Sequence, residues 1–352
     1  ERRAAHARGP RMRIVDTFLF SEPFEKTLLL LKLTLETPGV DRWIAIENAF
    51  TFRGEYKGTH LRAIIESDAQ FAAFKNKIHI ITLNSTKPER AGRDAGPQAD
   101  EERAFTQEIR QREAARDYLL ANYDDTDWFV VTDVDESIDF AHPDRSATIH
   151  RYLDKSNGKP FNVHKIKYWY DFDNRGYTTQ AWIPFQPVGM LRRSPRTIAS
   201  YRLEPLGTLA PQQPCLAFEY SYCLSPDDMW RKLSTFAHTG YTRDELDVAL
   251  KCNHWVRRAS RGEIRPDLPE HFFEQVVLTE ANSPAYVREN LTRLKTHAVD
   301  PHYLHNRRSY YGEDWGQPRS LATRYRWALA RLKDRCRARG FRKRDFWPWA
   351  EK

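Results

Sequence analysis

Asp127-Trp128-Phe129-Val130-Val131-Thr132-Asp133-Val134-Asp135-Glu136 joins a short apolar run to a tight group of carboxylates. The apolar part reads as a buried strand, and the carboxyl ends of strands are where α/β sheets bind ligands. Asp133 and Asp135, at alternate positions, can approach one hard divalent cation, Mn2+ or Mg2+, that shares its oxygen ligands with substrate phosphates. The competing reading is a plain acidic turn after a strand, so the neighbouring sequence has to decide. An EF-hand calcium loop is excluded, because Ile138 stands where that loop requires a glycine and the preceding segment has the pattern of a strand.

Upstream, residues 105–122 have the period of an amphipathic helix with Phe105, Ile109, Leu119 and Leu120 on one face. Arg112 and Arg116 fall on that same face. Guanidinium groups inside an apolar stripe need carboxylate or phosphate partners, so the acidic cluster and a diphosphate are both candidates. Towards the N-terminus, residues 13–20 read as a first strand, followed by a helix that starts at Ser21-Glu22-Pro23 and runs through leucines to about Glu36. Trp43-Ile44-Ala45-Ile46 leads into Glu47-Asn48 as a second strand, and residues 77–83 read as a third. Strand and helix alternate, which implies an α/β fold with a mostly parallel central sheet flanked by helices. Asp16, Glu47 and Asp133 are then expected on one rim at its carboxyl edge. Residues 87–92 and 96–100 read as a polar loop, either a lid or an inert insertion, and Arg53, Tyr56 and Lys57 mark another candidate loop near Glu47.

The 352 residues, 40% of them hydrophobic, suffice for one large domain or two modest ones. The longest apolar run, Leu28 to Leu31 and then Leu33 and Leu35 beyond Lys32, is far shorter than the ~20 residues a membrane helix needs. Four cysteines, Cys215, Cys223, Cys252 and Cys336, have neither metal-site spacing nor the density of a disulfide scaffold. They suggest reduced thiols and a cytoplasmic protein, a reading that a Cys215 to Cys223 bridge would overturn; a lumenal location follows if a leader or anchor has been removed. Residues 1–12 read as a flexible basic lead-in. The net charge of +8 is concentrated in residues 319–344, a basic amphipathic helix suited to a solvated face, an anionic membrane surface or nucleic acid.

Several motifs occur in order: residues 13–20, Ile46-Glu47-Asn48 with Phe50-Thr51-Phe52-Arg53-Gly54, Gln111-Arg112, and Thr132 to Glu136. Tyr168-Trp169-Tyr170-Asp171-Phe172-Asp173 with Trp182, Glu219-Tyr220-Ser221-Tyr222, and Lys232-Leu233-Ser234-Thr235-Phe236-Ala237-His238 continue the series. Together they resemble glycosyltransferase family 17, over roughly residues 13–256. That family includes the bisecting β-1,4-N-acetylglucosaminyltransferases of N-glycan processing, and its fold is of the GT-A type.

The resemblance implies a catalytic domain over residues 13–256, with a nucleotide-sugar half at 13–140 and an acceptor half at 141–256, followed by a C-terminal extension at 257–352. It also implies inverting transfer of a sugar, best N-acetylglucosamine, from a UDP-sugar to a hydroxyl of a glycan or lipid-linked saccharide. Asp16, Thr17, Glu47, Arg53, Arg112, Arg116 and Asp133 are the expected donor-binding residues. Asp133, Asp135 and His238 are the expected metal ligands, although His238, at the far end of a helix opened by Ser225-Pro226-Asp227-Asp228, equally suits capping or acceptor contact. The acceptor hydroxyl needs a base, for which Glu219, Asp171 and Asp173 are candidates in that order. The family's Gly-Trp-His is replaced by Ala217-Phe218-Glu219, which puts sugar choice and metal affinity in question. Two other classes remain: transfer to modified nucleic acid, suggested by the positive charge, and a non-catalytic carbohydrate-binding protein.

Overall fold

A computed structural model describes residues 12–84, 97–169, 171–176, 182–204, 206–210, 215–221, 223–225 and 273–298, with positions 228, 231, 232 and 235 between them. Its parallel core is built from β1 (Ile14–Phe20), β2 (Arg42–Asn48), β3 (Ile78–Leu83) and β4 (Trp128–Asp133). These lie in the order β3-β2-β1-β4, with Asp16 opposite Trp43 and Val130, and Leu19 opposite Ile46 and Asp133. Beyond β4, β8 (Trp182–Pro187) runs antiparallel and is followed by β6 (Phe161–Trp169), which therefore points the same way as β4. A short β5 (Glu136–Ile138) pairs antiparallel with β10 (Ala217–Ser221), β10 lies parallel to β6, and a two-residue β9 (Thr208–Leu209) lies parallel to the start of β6. The carboxyl ends of β1, β2, β4, β6 and β10 thus face one side, and the expected α/β class is what the chain adopts.

Helices cover both faces because the central strands are apolar on both. On one face, α1 (Lys26–Glu36), α2 (Leu61–Ser67) and α5 (Pro143–Ser156) pack Leu29, Leu33, Leu61, Ile65, Ile149 and Leu153 against Phe18, Trp43 and Val130. On the other, α3 (Pro97–Glu113), α4 (Ala115–Asn122), α6 (Val188–Arg193) and α7 (Ile198–Leu203) pack against Val15, Leu19, Ile44 and Val131. α1 is apolar almost all round because it is buried twice: Leu28, Leu31 and Leu35 join a third cluster with Tyr168, Phe218 and Tyr220. Each such leucine contributes roughly 2 kcal/mol of transfer free energy.

Two expectations need correction. Residues 105–122 do not form one helix: it breaks at Ala114, where Glu113 accepts a 2.8 Å hydrogen bond from the Ile198 backbone N–H at the start of α7 and Arg116 reaches the carbonyls of Leu191 and Arg196. Pro97 does not sit in a loop but opens α3, where its missing N–H removes a donor that no helix could satisfy. From the expected C-terminal extension, β11 (Phe273–Gln275) pairs antiparallel with β7 (Asn174–Gly176), and Val287 of α8 (Ala285–Glu289) and Leu294 of α9 (Leu291–Ala298) complete the third cluster. Residues 1–11, the loop at 87–92 and the basic segment 319–344 lie outside the described residues. No helix among the described residues is long and apolar enough to cross a membrane, and Cys215 and Cys223 are buried free thiols.

Candidate active site

The chain leaves β4 at Asp133, turns through Val134 and Asp135, and enters β5 at Glu136. Val134 is buried in the core and anchors the turn. Glu136 accepts a 3.0 Å hydrogen bond from the Asp133 N–H, and the Asp135 carbonyl accepts one of 2.8 Å from the Tyr220 N–H on β10. The main chain of the acidic motif is thus held from both sides.

Beneath it lies a wholly buried charged hub. The Lys32 ammonium, from the leucine helix, pairs with Asp16 and Glu36 and donates at 2.8 Å both to the Thr132 hydroxyl and to the Glu136 carbonyl. Thr132 in turn donates to Asp16 at 2.8 Å, while Glu36 accepts from the Trp43 indole N–H and the Ile138 N–H. Burial alone pushes the Lys32 ammonium down, but Asp16 and Glu36 hold it above its ordinary value; burial pushes Glu36 up to about 8. The hub ties α1 to the two strands that carry the motif.

Above the hub, every carboxylate of the motif meets a cation. Arg112, in the last turn of α3, bonds Asp133 at 2.5 Å, Glu108 at 2.9 Å and the Thr132 carbonyl at 3.0 Å. Arg202, from α7, bonds the other Asp133 oxygen at 2.6 Å and both oxygens of Glu136. Glu136 and Glu219 face each other across the β5/β10 pair, and Lys165 on β6 lies between them, pairing with both. Lys167, directly opposite Glu219 on β6, pairs with it at 2.7 Å. Lys232, in a helical turn, reaches Asp135 at 3.0 Å and lies 4.0 Å from Glu25. Ser225 caps the start of that turn by accepting from the Asp228 N–H at 3.2 Å, as its sequence predicts. Burial opposes ionisation of Asp133, yet Arg202 and Arg112 hold its carboxyl well below the usual range. Asp135 moves the other way: burial pushes it up, Lys232 draws it down, and Asp133, Glu219 and Glu136 add to the rise.

The structure brings together part of the expected set. Arg112, Asp133, Asp135 and Glu219 meet at the carboxyl edge, and Asp171 and Asp173 follow β6 at the same edge. Asp16 does not share the rim: it lies three residues before the Leu19 that pairs with Asp133, and its side chain is buried against Lys32. Thr17 is buried and donates to the Val130 carbonyl. Glu47 sits at the edge, but its carboxylate accepts from the His60 and Leu61 N–H groups at the start of α2. Arg116 is drawn away to Glu113 and the α6/α7 loop, and so packs helices rather than facing the motif. Arg53 is half-buried in a turn that Gly54 closes at φ 80°, under a Phe50 to Tyr56 bridge. Glu219, expected as base, is committed to two lysines that outweigh the effect of burial and hold it well below the carboxylate range, which makes it a weak proton acceptor. His238 lies outside the described residues.

Sequence reading missed Lys32, Lys165, Lys167, Arg202, Lys232 and Glu25. Lys165 and Lys167 had a signal, two cations at alternate positions among Val163, Ile166 and Tyr168, as did Lys32, alone among leucines with Glu36 four residues on. Arg202 had none.

The divalent ion expected from the motif fits Asp135 better than Asp133. Both Asp133 oxygens are engaged by guanidinium groups, whereas Asp135 already holds a cation, the Lys232 ammonium. No group of three His, Cys, Asp or Glu side chains suited to a metal occurs among the described residues. Magnesium-type sites commonly use one or two carboxylates plus substrate phosphates, so a lone protein carboxylate suits an ion that comes with its donor.

The sequence profile of glycosyltransferase family 17 matches residues 4–182. This chain belongs to that family. It is therefore a glycosyltransferase, and the acidic turn lies in the part of the chain that the family profile covers. Two solved structures of LgtC are similar to it at 11% identity, one an active-site mutant and the other a galactosyltransferase in complex with donor and acceptor sugar analogs. They cover 83% of this chain and 99% of their own, with TM-scores of 0.29 and 0.28, a likeness too low to assign a donor or acceptor. No curated protein matches.

Proposed function

We propose that the chain transfers a sugar, best N-acetylglucosamine, from a UDP-sugar to a hydroxyl of a glycan or lipid-linked saccharide, with inversion and with Mn2+ or Mg2+ bound at Asp135. The observation that carries this reading is the acidic turn at the carboxyl edge, surrounded by Arg112, Arg202, Lys165, Lys167 and Lys232. Such a mixed cluster suits a ligand that is both a diphosphate and a metal complex. When bound, the ion would neutralise charge developing on the leaving diphosphate.

The protein's own groups divide the remaining work. Arg112 and Arg202 each engage one oxygen of Asp133 by a charge-assisted hydrogen bond, and the side chain, still 33% exposed, meets the donor in this reading as part of that charged group. Arg53 and Arg112 stay on the donor side of the reading. In the single displacement, the acceptor oxygen forms a bond to the anomeric carbon as the carbon to phosphate-oxygen bond breaks. A base, carboxylate or histidine, must take the hydroxyl proton. With Glu219 engaged by Lys165 and Lys167, Asp173 and Asp171, in the loop after β6, are the bases this reading retains.

Thermal unfolding with UDP, UDP-N-acetylglucosamine, UDP-galactose and GDP-mannose, each with and without Mn2+, tests the donor half. One uridine nucleotide is expected to stabilise wild type in the presence of Mn2+ and to lose that effect in Asp135→Asn. Equal, metal-independent responses to all of them would refute the reading.

A further inference from the structure

Lys232 stands in an unusual place for a residue beside a metal-binding carboxylate. Its ammonium lies 3.0 Å from Asp135 Oδ2 and 4.0 Å from Glu25 Oε1, while both carboxylates are almost wholly buried. Buried carboxylates need a positive partner, and here the ammonium supplies it. The two guanidinium groups at the motif are fixed differently: Arg112 is also bonded to the Thr132 carbonyl, and Arg202 to the Val131 carbonyl, so both are tied to β4 itself. Lys232 comes from outside the sheet on a flexible four-carbon stem, which allows its charge to move without disturbing a strand. An ammonium and a divalent ion on one carboxylate repel each other, and binding of the second favours departure of the first.

Building on the reading of the site as one for a metal-complexed diphosphate, we propose that Lys232 is a place-holding counter-ion: it and a divalent cation occupy Asp135 alternately, and the released ammonium turns to the incoming diphosphate. The exchange keeps the Asp135 pocket compensated at every stage, because positive charge leaves the carboxylate only as other positive charge arrives.

A lone carboxylate holds the ion weakly without phosphates, so titration of Mn2+ to millimolar concentration into the full chain without nucleotide, followed by paramagnetic water-proton relaxation, tests the exchange without relying on turnover. Lys232→Met should bind Mn2+ about tenfold or more tightly than wild type, the factor equivalent to losing one competing charge-assisted hydrogen bond. Lys232→Arg, which keeps the competing charge, should stay near wild type. Adding Asp135→Asn to Lys232→Met should abolish the gain. Should Lys232→Met fold poorly, its refolding yield with Mn2+ reads the same exchange, and rescue is expected. Equal or weaker Mn2+ binding by Lys232→Met, or no rescue, overturns the proposal. Stabilisation of wild type by UDP with Mn2+ reports separately on the underlying reading, so the two can fail independently.

Discussion

Glu25 offers a test of the buried charge beside the motif. Its carboxylate accepts a 2.7 Å hydrogen bond from the Ser21 N–H and lies 4.0 Å from the Lys232 ammonium. Burial pushes it from an ordinary value of 4.5 up to about 7, although Lys232 draws it down. Because the folded-state value is the higher one, the folded chain binds the proton more tightly. The stabilisation is fully present below 4.5 and is lost as pH rises through 7. Ionising Glu25 thus costs the fold roughly 3 kcal/mol at pH 8 and about 1 kcal/mol or less at pH 5. Glu25→Gln keeps the shape of the protonated form and removes the titration. Urea unfolding of both proteins at the two pH values should show the variant gaining about 2 to 3 kcal/mol on wild type between pH 5 and pH 8. Taking the difference between pH values cancels any pH-independent loss from the substitution. Parallel pH profiles, within about 0.5 kcal/mol, would refute the buried-carboxyl argument.

Other substitutions probe the layers below and around the site. Lys32→Met leaves Asp16 and Glu36 without their buried ammonium and should lower stability by about 3 to 5 kcal/mol in chemical denaturation. Thr197→Ala removes the hydroxyl that accepts from the Ser200 N–H at the start of α7, and should cost about 1 kcal/mol, measured by thermal unfolding. Glu219→Gln should leave kcat within about tenfold of wild type, since a group held by two lysines is not the base, whereas loss of a true base costs about 100-fold or more.

The fold was legible where one physical signal dominated. Predominantly apolar runs, broken in β1 by Asp16-Thr17 and polar at the ends of β2 and β4, marked these three strands, because a strand buried on both faces shows little polar alternation. The Asp133 to Glu136 turn was legible too, since carboxylates beside such a run must sit at its end. What periodicity could not show is register. Asp16 and Glu47 look alike in sequence, yet Asp16 is three pairs deeper than the edge and points into the α1 layer, while Glu47 is spent on capping α2. Arg112 and Arg116, one helical turn apart, read as a pair until the break at Ala114 sends them to different partners. The cations are the least legible part. Arg202 and Lys232 are brought to the motif from 66 or more residues away; nothing local marks Arg202, and the motif that contains Lys232 does not say which carboxylate it meets.

The most direct measurement is the product itself. Wild type incubated with UDP-N-acetylglucosamine, Mn2+ and a set of oligosaccharide acceptors should yield a sugar-extended product whose new linkage has, by NMR, the anomeric configuration opposite to the donor's. Asp135→Asn, folded to the same melting temperature, should yield none. Product of retained configuration, or undiminished transfer by Asp135→Asn, would contradict the account.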